Sequence, residues 1–118
     1  MSPLLFVVLL LLLVKHWYID FVNQTTVEVV NKGVYGSFDG LMHSIKQGVG
    51  TAVVLVCFVS SPIVAVLAAL FDFVVHYHVD WIKSNYGCKD MNNKIFWSHL
   101  GFDQLLHQIT YLVICFLL

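Results

Sequence analysis

Four apolar stretches, at about residues 3–24, 38–59, 62–85 and 98–118, each have one clean apolar end and one end that carries ionisable side chains. That asymmetry restricts the chain more than any other feature. At bilayer depth an Asp or Lys costs about 2.5 to 3.5 kcal/mol on insertion scales, so such polar ends must face a protein interior and one another. None of the stretches is an unbroken run of the ~18 apolar residues that marks a simple span, but each has a span's length. Clean and ionisable ends alternate in order as antiparallel neighbours require, which gathers all the polar ends at one level. The expectation is an all-α membrane protein, an antiparallel four-helix transmembrane bundle with both termini on the same side and residues 1–118 as a single integral membrane domain.

Composition agrees with lipid as the main surroundings. Of 118 residues, 59% are hydrophobic and 11% charged, with a mean hydropathy of +0.84. Soluble domains carry about 25% charge. Seven acids and six lysines cannot coat a free-standing globule of this length. The absence of Arg and the net charge of −1 remove the bidentate phosphate grip favoured by nucleic-acid binders, so nucleic acid is excluded as a partner. Cys57, Cys88 and Cys115 are far apart and read as inert thiols, neither a disulfide framework nor a thiolate metal site.

Local signals set the boundaries. The run from Leu4 to Val14 resembles a signal-peptide core, but no Lys or Arg precedes it and no small-residue cleavage site follows, so it reads as the first half of a retained spanning helix starting at Pro3. Gly48, Gly50 and Ala52 let a neighbouring helix approach closely. Ser60, Ser61 and Pro62 form a tight turn, and Asn85 and Gly87 close the third helix. Segments Thr25 to Ser37 and Gly87 to Phe96 read as loops outside the bilayer. Every lysine falls on their side, together with Trp17, Trp81 and Trp97, which predicts those polar loops to be cytoplasmic. Lys15 is expected to snorkel to the headgroups, and Asp72 to pair with Lys46.

The ionisable residues recur four apart, so they lie one above another on a helix face. The stripes are His16, Asp20, Gln24; Asp39, His43, Gln47; Asp72, His76, Asp80; and His99, Asp103, His107. At 1.5 Å per residue, His16, His43, His76 and His107 all lie roughly 17 to 24 Å from the apolar end of their helix, at one shared depth. Four such stripes converge on one polar pocket. Imidazole and carboxylate without thiolate suit a divalent ion such as Zn, Fe or Mn, and a bundle core supplied at helical spacing is a known way to hold one. His16, His43, His76, Asp80 and His107 are the expected metal ligands, and Asp20 and Asp103 the expected catalytic carboxylates. A bound ion would lower the pKa of its water and allow hydrolysis of a lipid or other amphiphile. The competing reading is a non-enzymatic membrane protein, a small transporter, proton path or phage-type pore former, with His–Asp hydrogen bonds only holding the helices together. The partners expected are the lipid bilayer, an amphiphilic substrate and a second copy of the chain. His78, two residues from His76, points to the opposite face and is expected outside the pocket.

Three ordered motifs carry a family resemblance. His16-Trp17-Tyr18-Ile19-Asp20-Phe21 with Gln24, then His76-Tyr77-His78-Val79-Asp80-Trp81-Ile82-Lys83, then Asp103-Gln104-Leu105-Leu106-His107 resemble the H-x-x-G-D-F-x-x-Q, H-x-x-x-D-W-x-K and D-Q-x-x-H motifs of a small membrane-protein family. It is catalogued as domain of unknown function 3307 and found in bacteria and their phages. His43 matches a lone His before that family's second hydrophobic stretch, and Ile19 stands where the family has Gly. The resemblance covers nearly the whole chain and supports the site residues, but implies no particular activity. A looser similarity of H-x-x-x-D in a membrane helix is to membrane-bound metal-dependent hydrolases, by analogy alone.

Overall fold

A computed structural model describes residues 1–118, which are helical throughout apart from short connections. Helix α1 spans Pro3–Trp17 and continues as a π-helical turn over Tyr18–Asn23. Then come α2 (Thr26–Asn31), α3 (Phe38–Phe58), α4 (Pro62–Tyr86) and α5 (Lys94–Leu117). Four segments, Pro3–Asn23, α3, α4 and α5, are long and apolar enough to cross a membrane. Two boundaries differ from the sequence expectation. Helix α5 starts at Lys94 because the Asn93 side chain caps it, and the presumed loop from Thr25 contains α2, capped by Thr25 onto the Glu28 amide.

Caps explain the other starts. Ser2 and Ser61 cap α1 and α4, each followed by a Pro whose missing N–H is no loss in a first turn. Ser37 caps α3 and also donates to the Asn31 carbonyl, which ties α3 to the end of α2. Between them Gly36 takes φ 83°, a conformation that a side chain would strain.

Contacts between the long helices run in cyclic order: α1 packs on α3 and α5, and α4 packs on α3 and α5. The α3–α4 contact is close because of Gly48, where a Cβ would lie 3.0 Å from the Ala69 carbonyl oxygen. At Gly50 a Cβ would come within 2.6 Å of Lys15 Cδ and 3.5 Å of Ile19 Cδ1. Gly50 thus leaves the space beside the π-helical turn that Lys15 and Ile19 pack against.

The interior divides into two layers. Val8, Leu12, Leu55, Ala65, Tyr111, Ile114 and Cys115 form an apolar cluster. Beyond it the buried residues are mostly polar, and 14 of the 25 buried positions in the chain are polar or charged. Large apolar side chains such as Phe6, Val53, Leu67 and Phe102 are exposed on the outside. A water-soluble protein inverts that distribution, so it marks lipid as the surrounding solvent.

Candidate metal centre

Helix α1 passes into a π-helical turn between His16 and Asp20, and Asp20 stays buried within that turn, a distortion that recurs at functional sites. His16 and Asp20 therefore both face inward, with His16 Nε2 3.3 Å from Asp20 Oδ2. Regular α-helix does the same for His76 and Asp80 on α4, 3.0 Å apart, and for Asp103 and His107 on α5, 3.3 Å apart. From α3 comes His43 alone, fully buried.

These seven side chains meet. His43 Nε2 lies 3.0 Å from Asp20 Oδ1, 3.4 Å from Asp80 Oδ2 and 3.2 Å from His76 Nε2. His76 Nε2 is also 3.5 Å from Asp20 Oδ1. On the other side His107 Nε2 lies 3.3 Å from both Asp80 Oδ1 and Asp103 Oδ1. The His76 and His107 rings stack at 4.1 Å between centroids, and His16 and His107 approach to 4.8 Å. Three sets of ligand atoms are each compact enough to hold an ion: His16, His76, His107; Asp20, His43, His76; and Asp80, Asp103, His107.

A surrounding layer orients them. Glu28 Oε2 accepts from His43 Nδ1 at 3.0 Å, while its other oxygen accepts from Lys46. Burial pushes the Glu28 carboxyl up, but the hydrogen bonds from Lys46 and His43 outweigh it and hold the group below its ordinary value. A carboxylate only accepts, so His43 carries a proton on Nδ1 toward Glu28 and turns Nε2 to the cluster. Gln47 donates to Asp20 Oδ1 at 2.8 Å, Tyr111 Oη is 3.0 Å from His16 Nδ1, and Gln104 Oε1 is 2.8 Å from His16 Nε2. Lys32 Nζ lies 3.6 Å from Asp80 Oδ2 and donates to Gln24.

The structure also corrects several sequence expectations. Lys15 does not snorkel outward; its ammonium donates to Gln47, Asp72 and the Tyr111 hydroxyl in the interior. Asp72 accordingly pairs with Lys15, and Lys46 pairs with Glu28. Asp39 and His99 share stripes with the cluster but not its centre: Asp39 faces Asn31, and His99 accepts from the Cys88 amide. His78 lies outside, as expected, bonded to Tyr35 and to the Val74 carbonyl. Glu28 and Lys32 were missed because their segment read as a solvated loop. The Thr25-x-x-Glu28 spacing, a helix-start signal, could have revealed α2.

One groove reaches the cluster's edge. It lies between α4 and α5, holds about 220 Å³, and is walled by Val79, Ile82, Tyr86, Phe102 and Leu106 with Lys83 and Asp103 as its charged groups. Asp103 thus faces both the groove and His107.

Among known proteins, a family model described as a protein of unknown function, DUF3307, matches residues 8–118. No curated protein and no solved structure matches.

Proposed function

The chain belongs to the DUF3307 family of proteins of unknown function, and on that premise we propose that it is a membrane-embedded, metal-dependent hydrolase acting on a lipid or other amphiphile. The observation that carries the reading is the gathering of four imidazoles and three carboxylates, drawn from four apolar segments, into one buried cluster of overlapping ligand sets. The Glu28–His43 contact adds to it. Histidines that bind metal usually donate their outer N–H to a carboxylate or carbonyl, which fixes the tautomer and leaves the inner lone pair free.

In this reading the four long helices form an antiparallel bundle with both termini on the same side. Support comes from the apolar cluster, which joins the start of α1, the end of α3, the start of α4 and the end of α5. The lysines gathered at the opposite end support a cytoplasmic position for the polar loops. The whole chain then forms one domain around the site.

His16, His43, His76, Asp80 and His107 hold the metal, and Asp20, lying among the ring nitrogens, joins them. A divalent ion held by these residues would supply Lewis acidity and lower the pKa of a water toward ~7. Asp103, the carboxylate at the groove, would act as general base, taking a proton from the attacking water and returning it to the oxygen that leaves the ester carbon or phosphorus. The apolar walls of the groove suit a hydrocarbon chain, and Lys83 suits an anionic head.

Elemental analysis of the detergent-purified protein tests the proposal. Wild type is expected to carry a stoichiometric divalent metal that His76→Ala and Asp80→Ala lose. Equal metal content in all three would end the metal reading, and ion conductance in liposomes that persists in the metal-free variants would favour a channel.

A further inference from the structure

We propose that the centre holds two ions, bridged by Asp20 and Asp80; this rests on the metal reading above and extends it.

The contacts fall into two adjoining groups, each reached by one oxygen of both carboxylates, with the His76 and His107 rings stacked at 4.1 Å where they meet. The first contains His43 Nε2, His76 Nε2, Asp20 Oδ1 and Asp80 Oδ2, whose closest separations are 3.0, 3.0, 3.2, 3.4 and 3.5 Å. Metal bonds of ~2.0 to 2.2 Å place neighbouring ligands about 3.3 to 3.6 Å apart at tetrahedral angles and about 2.8 to 3.1 Å apart at right angles. The observed separations span those two ranges. The second group uses the other oxygens: Asp80 Oδ1 and Asp103 Oδ1, each 3.3 Å from His107 Nε2, and Asp20 Oδ2, 3.3 Å from His16 Nε2, a nitrogen that Gln104 Oε1 now holds at 2.8 Å and that an ion would have to take over. Each of Asp20 and Asp80 therefore turns one oxygen to each group.

Hydrogen bonds join His107 to Asp80 Oδ1, His76 to His43 and Gln47 to Asp20 Oδ1, but leave two carboxylate oxygens unsatisfied. Asp80 Oδ2 and Asp103 Oδ1 are buried and accept no hydrogen bond from any protein donor, although ring nitrogens stand 3.0 and 3.3 Å away. One such oxygen belongs to each group. A buried carboxylate oxygen without a donor is costly, and a cation satisfies it. His43 Nε2 stands 3.4 Å from Asp80 Oδ2 without hydrogen-bonding it, and its Nδ1 is turned to Glu28. Lys32 at 3.6 Å from Asp80 Oδ2 is beyond hydrogen-bonding distance, and Lys83 stands 3.6 Å from the other oxygen of Asp103. Two carboxylates shared in this way fit ions ~3.5 to 4 Å apart, the spacing of two-metal hydrolytic centres. Bound through Oδ1, Asp103 would keep Oδ2, which accepts from Gln104 at 3.0 Å, on the side of Lys83 and the groove.

The test is metal stoichiometry of the full chain in detergent, loaded with Zn(II) and in parallel with Mn(II), then freed of excess metal. The expected result is two ions per chain and an exchange-coupled Mn(II) electron paramagnetic resonance spectrum. His107→Ala should retain one ion with the spectrum of an isolated Mn(II). One ion in the wild type would overturn the two-ion centre while leaving the metal reading intact. Two uncoupled ions would overturn the shared carboxylates, and no ion of either kind would overturn both readings.

Discussion

Glu28 reaches from the short helix α2 to accept a hydrogen bond from His43 Nδ1 at 3.0 Å, and so aims the Nε2 of that ring at Asp20 and Asp80. A residue outside the spanning helices thus orients one at their centre. Replacing it by Gln should weaken metal binding about 10- to 100-fold, the usual effect of removing an orienting partner. Competition with a chromophoric chelator measures this, and an unchanged affinity would detach Glu28 from the site.

The same contact responds to acid. Burial favours the neutral Glu28 carboxyl, but hydrogen bonds from Lys46 and His43 outweigh it, so the folded value lies below the ordinary 4.5. A carboxylate lowered on folding stabilises fully above its unfolded value, and that stability is lost as the pH falls through the folded one. The melting temperature of the detergent-solubilised protein should therefore fall as the pH drops below about 4.5. Glu28→Gln should remove that part of the slope.

Lys15 and Asp72 form a buried ion pair at 3.0 Å. Removing one partner strands a charge and should cost about 3 to 5 kcal/mol, whereas Lys15→Met combined with Asp72→Asn should cost less than the sum of the single changes. Denaturation of the four proteins in detergent closes the cycle. Additive losses would mean that the pair contributes no coupling.

Gly48 lets α3 and α4 approach, with the Ala69 carbonyl oxygen 3.0 Å from where a Cβ would sit. Because backbone blocks that space, Gly48→Leu should destabilise the protein by about 1 to 3 kcal/mol through overpacking. A melting temperature equal to that of wild type would contradict such close packing.

Leu106 lines the groove between α4 and α5, whereas the cluster lies behind Asp103. Leu106→Trp should fill the groove, lowering turnover of an amphiphilic ester at least ~10-fold while metal content stays at the wild-type level. Loss of metal together with turnover would place Leu106 in the support of the centre instead of the access to it.

Residues four apart in the sequence marked the inward faces, and His16, Asp20, His43, His76, Asp80, Asp103 and His107 do meet in the structure. The same stripes overreached at Asp39 and His99, because a shared face does not imply a shared depth. Glu28 escaped notice for a different reason. Its six-residue helix is too short to show apolar periodicity, and its burial comes from docking on α3.

Periodicity, hydropathy and caps act within a few residues of chain, which is why the amino-acid sequence alone determined four apolar helices and the polar face of each. Partners across helices depend on register, on the π-helical turn after Trp17 and on the space left by Gly48 and Gly50. Only the tertiary structure could therefore turn Lys15 inward to Asp72, bring Glu28 to His43, and divide the oxygens of Asp20 and Asp80 between two groups of histidines. Each of those contacts joins residues at least 15 apart or depends on a neighbouring helix, and no local propensity encodes it.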